Sequence, residues 1–341
     1  MKDLLKKLSE AHGASGYEEN VAKIMVEELS LVSDSVEIDK IGNVIATKGT
    51  GDPKIMIAAH MDEIGFVVQH IDDKGFIWFI LIGGFYDPTI FNSRVVIHTV
   101  KGEVFGVVGS KPPHLMEAEE KNKPIKWNEL FIDIGCNSKK ETENLGINIG
   151  DSITFDQSFR MLDRDTVTGK SMDNRVGCLM LIELMKRLNN PKCTICAVAT
   201  VQEEVGLKGA RVAASKLKPD YGVILDVTFG IQPGVKDREV NARLGKGPVI
   251  TYVEAGGKGL MADPKLSKKI IDIAKTNNIP YQIEVTHGGM TDGAIMYITG
   301  EGIPCISVGI PTRYIHSPVE VLDIDDVKAG IVLLMKFIES F

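Results

Sequence analysis

The chain has 341 residues, 44% of them hydrophobic and 25% charged, with a formal charge of −7. It is long enough for a large core and for two domains. The 46 acidic residues against 39 basic ones argue against nucleic acid as the main partner, because phosphate binding needs a basic surface.

Residues 1–30 predict two helices, since Leu4, Leu5 and Leu8, then Val21, Ile24, Met25 and Leu29, recur at helical spacing. Lys6 and Lys7 interrupt the apolar positions at the start, so no signal-peptide core is expected. No apolar run is long enough to cross a bilayer. The five cysteines form no disulfide-framework spacing, which fits a reducing compartment. A cytoplasmic protein without a membrane partner is the expectation.

Strands follow at 36–39 and 43–47, joined by a turn at Gly42, and at 55–59, a wholly apolar run of the kind found in buried parallel strands. From 66 to 164 short β-rich runs succeed one another between Gly and Pro, with at most a short turn of helix near 115–121. This predicts an inserted all-β, barrel-like domain. Beyond 165 helices and strands alternate: helix 172–189, strand 193–201, helix 207–217, strands 221–226 and 248–253, helix 264–277, strand 281–285, helix 291–299, strand 304–308 and helix 325–340. Residues 1–65 plus 165–341 therefore read as one α/β layer domain, with 66–164 inserted into it. Cys193 and Cys196 form a CxxC pair, but they lie in an apolar run and read as part of a buried strand.

The chemistry gathers at the ends of the apolar strands. Strand 55–59 leads into His60-Met61-Asp62, 193–201 into Gln202-Glu203-Glu204, and 221–225 into Asp226. Strand 304–308 leads through a loop to His316. Open α/β sheets bind ligands outside the carboxyl ends of their strands. Asp173, just before a long helix, joins this set. Imidazole mixed with carboxylate suits zinc, cobalt or manganese. Without metal so many carboxylates would repel one another, whereas two divalent ions with Asp173 as a bridge remove the conflict. His60 and Asp62 point the same way on an extended segment, so Asp62 can support a ligating His60 or orient the base. Glu203 and Glu204 diverge, so one can bind metal while the other acts as general base. His12, His70, His98 and His114 read as ordinary structural or surface histidines. His287, in a Gly-rich turn, is a candidate for the substrate pocket, and Thr291 and Asp292 are expected to cap the helix that follows.

Five ordered motifs, His60-Met61-Asp62-Glu63-Ile64-Gly65, Ser171-Met172-Asp173-Asn174-Arg175, Gln202-Glu203-Glu204-Val205-Gly206, Leu225-Asp226-Val227 and Pro311-Thr312-Arg313-Tyr314-Ile315-His316-Ser317-Pro318, closely resemble those of the glutamyl aminopeptidase and tetrahedral aminopeptidase family. The resemblance runs over essentially the whole chain, and no motif position departs from the pattern. It implies a phosphorylase/hydrolase-like three-layer catalytic domain with a β insert that mediates dimerisation. It also implies homo-oligomers, in many members a hollow tetrahedral dodecamer. By the same resemblance His60 and Asp226 hold one metal ion, Glu204 and His316 the other, and Asp173, cis-bonded to Asn174, bridges them. Glu203 is then the general base and Asp62 the supporting residue. The implied activity is release of N-terminal residues from peptide substrates with two divalent ions, zinc or cobalt. Two other reactions compete: deacylation of N-acylated amino acids, and glycoside hydrolysis by a carboxylate pair, since some members have carried an endoglucanase label. The latter leaves His60 and His316 without a task. Arg175, Lys208 and Arg313 are candidates for selecting an acidic side chain.

Overall fold

Alternation along a single buried strand sets the layering. The computed structural model describes residues 1 to 341, apart from the side chains at 113, 120 and 121. Helices α1 (Lys2–Glu10) and α2 (Glu19–Ser30) precede strands β1 (Ser35–Ile38), β2 (Val44–Lys48) and β3 (Lys54–His60). Then come β4 (Gly65–Ile71), β5 (Ile77–Ile82), β6 (Arg94–Thr99), β7 (Gly102–Gly109), α3 (Ala118–Lys121), β8 (Phe131–Asp133), α4 (Lys139–Asn144) and β9 (Ser152–Phe155). The chain continues through β10 (Arg160–Met161), β11 (Thr166–Gly169), α5 (Met172–Arg187), β12 (Thr194–Thr200), α6 (Lys208–Leu217) and β13 (Tyr221–Phe229). It closes with β14 (Val249–Val253), α7 (Pro264–Thr276), β15 (Gln282–Val285), α8 (Gly293–Met296), β16 (Cys305–Arg313), β17 (Glu320–Asp323) and α9 (Ile324–Glu339).

The large sheet runs β1-β2-β12-β3-β13-β16-β17-β11-β10, with β14 also paired to β16, and β15 to β14. Its centre, β12, β3, β13 and β16, is parallel. On β3, Ile55, Ile57 and Ala59 enter one core with residues of α5 and α9, while Met56 and Ala58 enter a second with Ala213 and Ala214 of α6 and Met296 of α8. Both faces of the strand are thus covered by helices, which is why it reads as unbroken apolar sequence. Helix α5 is buried from Met172 through Ile182, as expected of a helix apolar on most sides.

Six strands, β4-β5-β8-β7-β6-β9, close a separate barrel. Phe66, Val68, Phe79, Val95, Ile97, Ile132 and Ile153 fill it, each such side chain contributing about 1.5–3 kcal/mol by leaving water. Strand β10, which the sequence reading placed with the insert, pairs instead with β11 of the large sheet.

Other elements depart from the sequence expectation. The helix expected at 291–299 is only the single turn α8. Helix α4 was not anticipated, because it carries no apolar stripe. It is held by a capping box, with the Ser138 hydroxyl accepting from the Glu141 amide and the Glu141 carboxylate from the Asn137 amide. Strands β13 and β16 run on past their apolar stretches, paired as far as Phe229 and Thr312. Asp226 accordingly lies within a strand and not at its end.

Candidate metal centre

The parallel strands deliver their residues to one crevice. His60 is the last residue of β3, Glu203 and Glu204 follow β12, and Asp226 lies on β13. His316 follows β16, and Asp173 stands in the first turn of α5, with a cis bond to Asn174. All the residues expected at the site are brought together. His60 Nε2 lies 3.0 Å from Asp173 Oδ1 and 3.7 Å from Asp226 Oδ1. His316 Nε2 lies 3.4 Å from Asp173 Oδ2 and 3.2 Å from Glu204 Oε1. The two oxygens of Asp173 therefore face two different imidazoles. Ligand atoms of His60, Asp173 and Glu204, and separately of His60, Glu203 and Asp226, lie within 4.8 Å of one another.

Asp62 lies beside His60 and behind both glutamates. His60 Nδ1 hydrogen-bonds to the main-chain carbonyl of Asp62, at 3.1 Å. The Asp62 carboxylate is 3.5 Å away at Oδ1. That carboxylate accepts the amide N–H groups of Glu203 at 3.0 Å and Glu204 at 3.1 Å, and the Ser15 hydroxyl at 2.6 Å. One buried side chain thus fixes the strand end that carries both glutamates.

The electrostatics are those of an uncompensated anion cluster. Burial raises Glu203 well above the ordinary glutamate value, helped by Asp292, Asp226 and Glu204, and it pushes Asp226 up to about 6. Burial works against a charged His316, yet hydrogen bonds to Asp173 and Glu204 hold it protonated up to about 11. Asp173, despite burial, is pulled below its ordinary range by hydrogen bonds from His316 and His60. Protons on the two imidazoles here do what a cation does better. Five buried or nearly buried carboxylates around two histidines suit divalent ions of the zinc, cobalt or manganese type, so the residues present fit a metal centre.

Two contributors escaped the sequence reading. Glu320 on β17 accepts the Asp173 amide through Oε2 (3.0 Å) and the His316 amide through Oε1 (2.9 Å), holding both from behind. Asp292 does not cap α8. It is buried, accepts the Thr200 hydroxyl through Oδ2, and leaves Oδ1 without a hydrogen-bond partner among the described residues. Burial raises it to about 7. Thr291 does accept the Gly293 amide, at 3.2 Å.

A cavity of about 330 Å³ opens beside the centre, and Thr286, Gly288 and Gly289 line it while His287 does not. Arg175 is fully buried and spends its guanidinium on the carbonyls of Met61, Leu8 and Ala11 and on Glu63. Arg313 donates to the Ile231 carbonyl. Neither arginine, nor Lys208, lines the cavity, which removes all three candidates for selecting an acidic side chain.

The profile of the M42 glutamyl aminopeptidase family matches residues 42–333. The chain is 39% identical over 341 residues to the lysyl aminopeptidase of Pyrococcus furiosus, covering 99% of this chain and 96% of that one. Its structure is similar to that of aminopeptidase APDkam598 from the archaeon Desulfurococcus kamchatkensis, with a TM-score of 0.96 at 41% identity, covering 100% of this chain and 94% of that one. It is also similar to the Pyrococcus horikoshii TET1 peptidase, described as assembling into a tetrahedron or a large octahedral shell, with a TM-score of 0.91 at 34% identity and 99% of each chain covered. With a family profile matched over residues 42–333, relatives of this identity and coverage, and the same fold, the chain belongs to the M42 glutamyl aminopeptidase family.

Proposed function

We propose that this peptidase releases N-terminal residues from peptides with two divalent ions, zinc or cobalt, and with Glu203 as general base. His60 and Asp226 would hold one ion, Glu204 and His316 the other, and Asp173 would stand between them. The observation that carries this reading is the placement of Asp173, whose two carboxylate oxygens face His60 and His316 separately. When bound, the ions supply the Lewis acidity that makes water a nucleophile at neutral pH and stabilises charge on the scissile carbonyl.

The rest falls to the chain. Glu203, buried with a carboxylate oxygen within 4.8 Å of the ligand atoms of His60 and Asp226, is placed to take a proton from the attacking water and return it to the leaving amine. Asp62 fixes Glu203 through its amide, so the base keeps its aim when the proton moves. The carboxylates around the centre favour a free α-ammonium group over a blocked one, which favours aminopeptidase action over deacylation. A carboxylate-pair glycosidase leaves both histidines unused.

A cytoplasmic location fits the five thiols, all free; no helix is long and apolar enough to cross a membrane. Homo-oligomers built through the barrel are supported by Phe105 and Val107 of β7, which are 61% and 48% exposed, and by the assembly of the TET1 peptidase. A dodecamer and a phosphorylase/hydrolase-like three-layer class for the larger body belong to the same reading.

Glu203→Gln tests the mechanism. It should lower kcat by about 10²–10⁴-fold while the protein still binds metal, measured by elemental analysis. Near-normal turnover in the metal-loaded variant removes Glu203 from its role.

A further inference from the structure

The cavity beside the metal centre carries two carboxylates that peptide hydrolysis does not use. Glu254 follows β14 and Glu284 lies on β15, and both line the wall. Glu254 is saturated. Its Oε1 accepts the Thr291 hydroxyl at 2.8 Å, and its Oε2 accepts the amides of Thr291 and Leu260 at 3.1 and 3.2 Å.

Glu284 is not saturated, although it is only 6% exposed. Thr228 and Thr251 both donate their hydroxyls to Oε1, at 2.6 and 2.7 Å. Oε2 takes no hydrogen bond among the described residues and is left to the cavity. These threonines come from β13 and β14, on either side of β16, so side chains of three strands hold one carboxylate in a fixed pose. Among the described residues no lysine or arginine lines the cavity, while Val227, Phe229, Met290 and Ile315 give it apolar wall.

We propose that Glu284 selects a basic residue, lysine first, at the N-terminus of the peptide, its ammonium seated on Oε2 and its methylene stem against the apolar wall. This rests on the aminopeptidase reading above. A leucine side chain would desolvate Oε2 without offering it a donor, and a buried acceptor left unpaired is costly. A glutamate side chain would bring a third carboxylate against Glu254 and Glu284, with no cation in the wall to receive it. Pockets built around a polar partner reject analogues that lack it far more strongly than apolar pockets sort by size.

The test measures kcat/KM of the metal-loaded enzyme for lysyl-, norleucyl- and glutamyl-p-nitroanilide. The unaltered enzyme should favour lysine over norleucine by about tenfold or more. Glu284→Gln should bring that ratio close to one, mainly through the KM for lysine, and Glu284→Lys should make the glutamyl substrate the best of the three. Competition by free L-lysine against L-norleucine gives the same preference without any substitution. Norleucyl or glutamyl cleavage at least as efficient as lysyl in the unaltered enzyme overturns the proposal but leaves the aminopeptidase reading standing. An equal loss on all three substrates in Glu284→Gln also overturns it, because Glu284 would then serve the common α-amine or the fold. If no free-amine substrate is cleaved under any metal condition, the aminopeptidase reading fails and takes this proposal with it.

Discussion

Asp62 and Glu320 act on the centre through the backbone. Asp62 grips the amides of Glu203 and Glu204, and Glu320 grips those of Asp173 and His316, so two buried carboxylates fix four functional residues without facing substrate. The surrounding charge has a consequence for pH. Asp226, pushed up to about 6, and Asp292, pushed up to about 7, both start from an ordinary 3.8 and hold protons more tightly folded than unfolded. Their contribution to stability is complete below the ordinary value and is lost as pH rises through 6 and 7. His316, raised to about 11 from 6.5, acts in the same direction, its contribution present below 6.5 and fading as pH climbs towards 11. The chelated protein should therefore melt lower at pH 8 than at pH 5, and metal should narrow the gap, as read by differential scanning calorimetry. A metal-free protein that melts higher at pH 8 contradicts this picture. At this scale most of the site was legible, because His60, Asp62, Asp173, Glu203, Glu204, Asp226 and His316 stand in compact motifs beside apolar runs. Glu320 was not, since a lone glutamate after a Ser-Pro turn looks like any surface acid until the fold lays it behind Asp173. Asp292 was misread because a Thr-Asp pair before a short helix has the form of a cap, and only burial against Thr200 reveals otherwise.

Between the elements, a buried ion network ties the end of β3 to the start of α5. Glu63 accepts Lys170 Nζ at 2.6 and 2.7 Å and Arg175 Nη2 at 3.2 Å, all three side chains being sealed from solvent. Arg175 also carries the carbonyls at the end of α1 and that of Met61, so the network positions the turn between His60 and Asp62. Glu63→Ala leaves two buried cations without their anion and should cost about 3–5 kcal/mol in urea unfolding. A loss below about 1 kcal/mol would mean that water reaches these charges and that they do not brace the turn. The barrel also touches the centre: a Cβ added to Gly84 would lie 3.2 Å from His316 Nδ1, so the segment after β5 packs against that histidine. The long elements were readable, because β3 and β12 are buried on both faces and carry apolar runs, and α5 has a long apolar stretch from Val176 to Ile182. What escaped was short or set by partners. Strand β17 is defined by pairing with β11 and β16, and α4 by its capping box.

The whole molecule sets a mixed sheet with a parallel centre, and the candidate metal centre near the carboxyl ends of those parallel strands, beside a closed barrel with its own core. The alternation of helix and strand made the α/β body legible, and the β-rich texture of the middle third made the barrel legible. The exact seam was not, because β10 is two residues long and belongs to the large sheet only through its pairing with β11. One comparison tests directly whether this molecule is a metal-dependent aminopeptidase. Purified protein is assayed on free and N-acetylated aminoacyl-p-nitroanilides as isolated, after chelation, and after zinc or cobalt is restored. A metal-dependent aminopeptidase cleaves the free-amine substrates alone, loses that activity on chelation and regains it with metal. Cleavage that survives complete metal removal, or that prefers the acetylated substrates, would contradict that assignment.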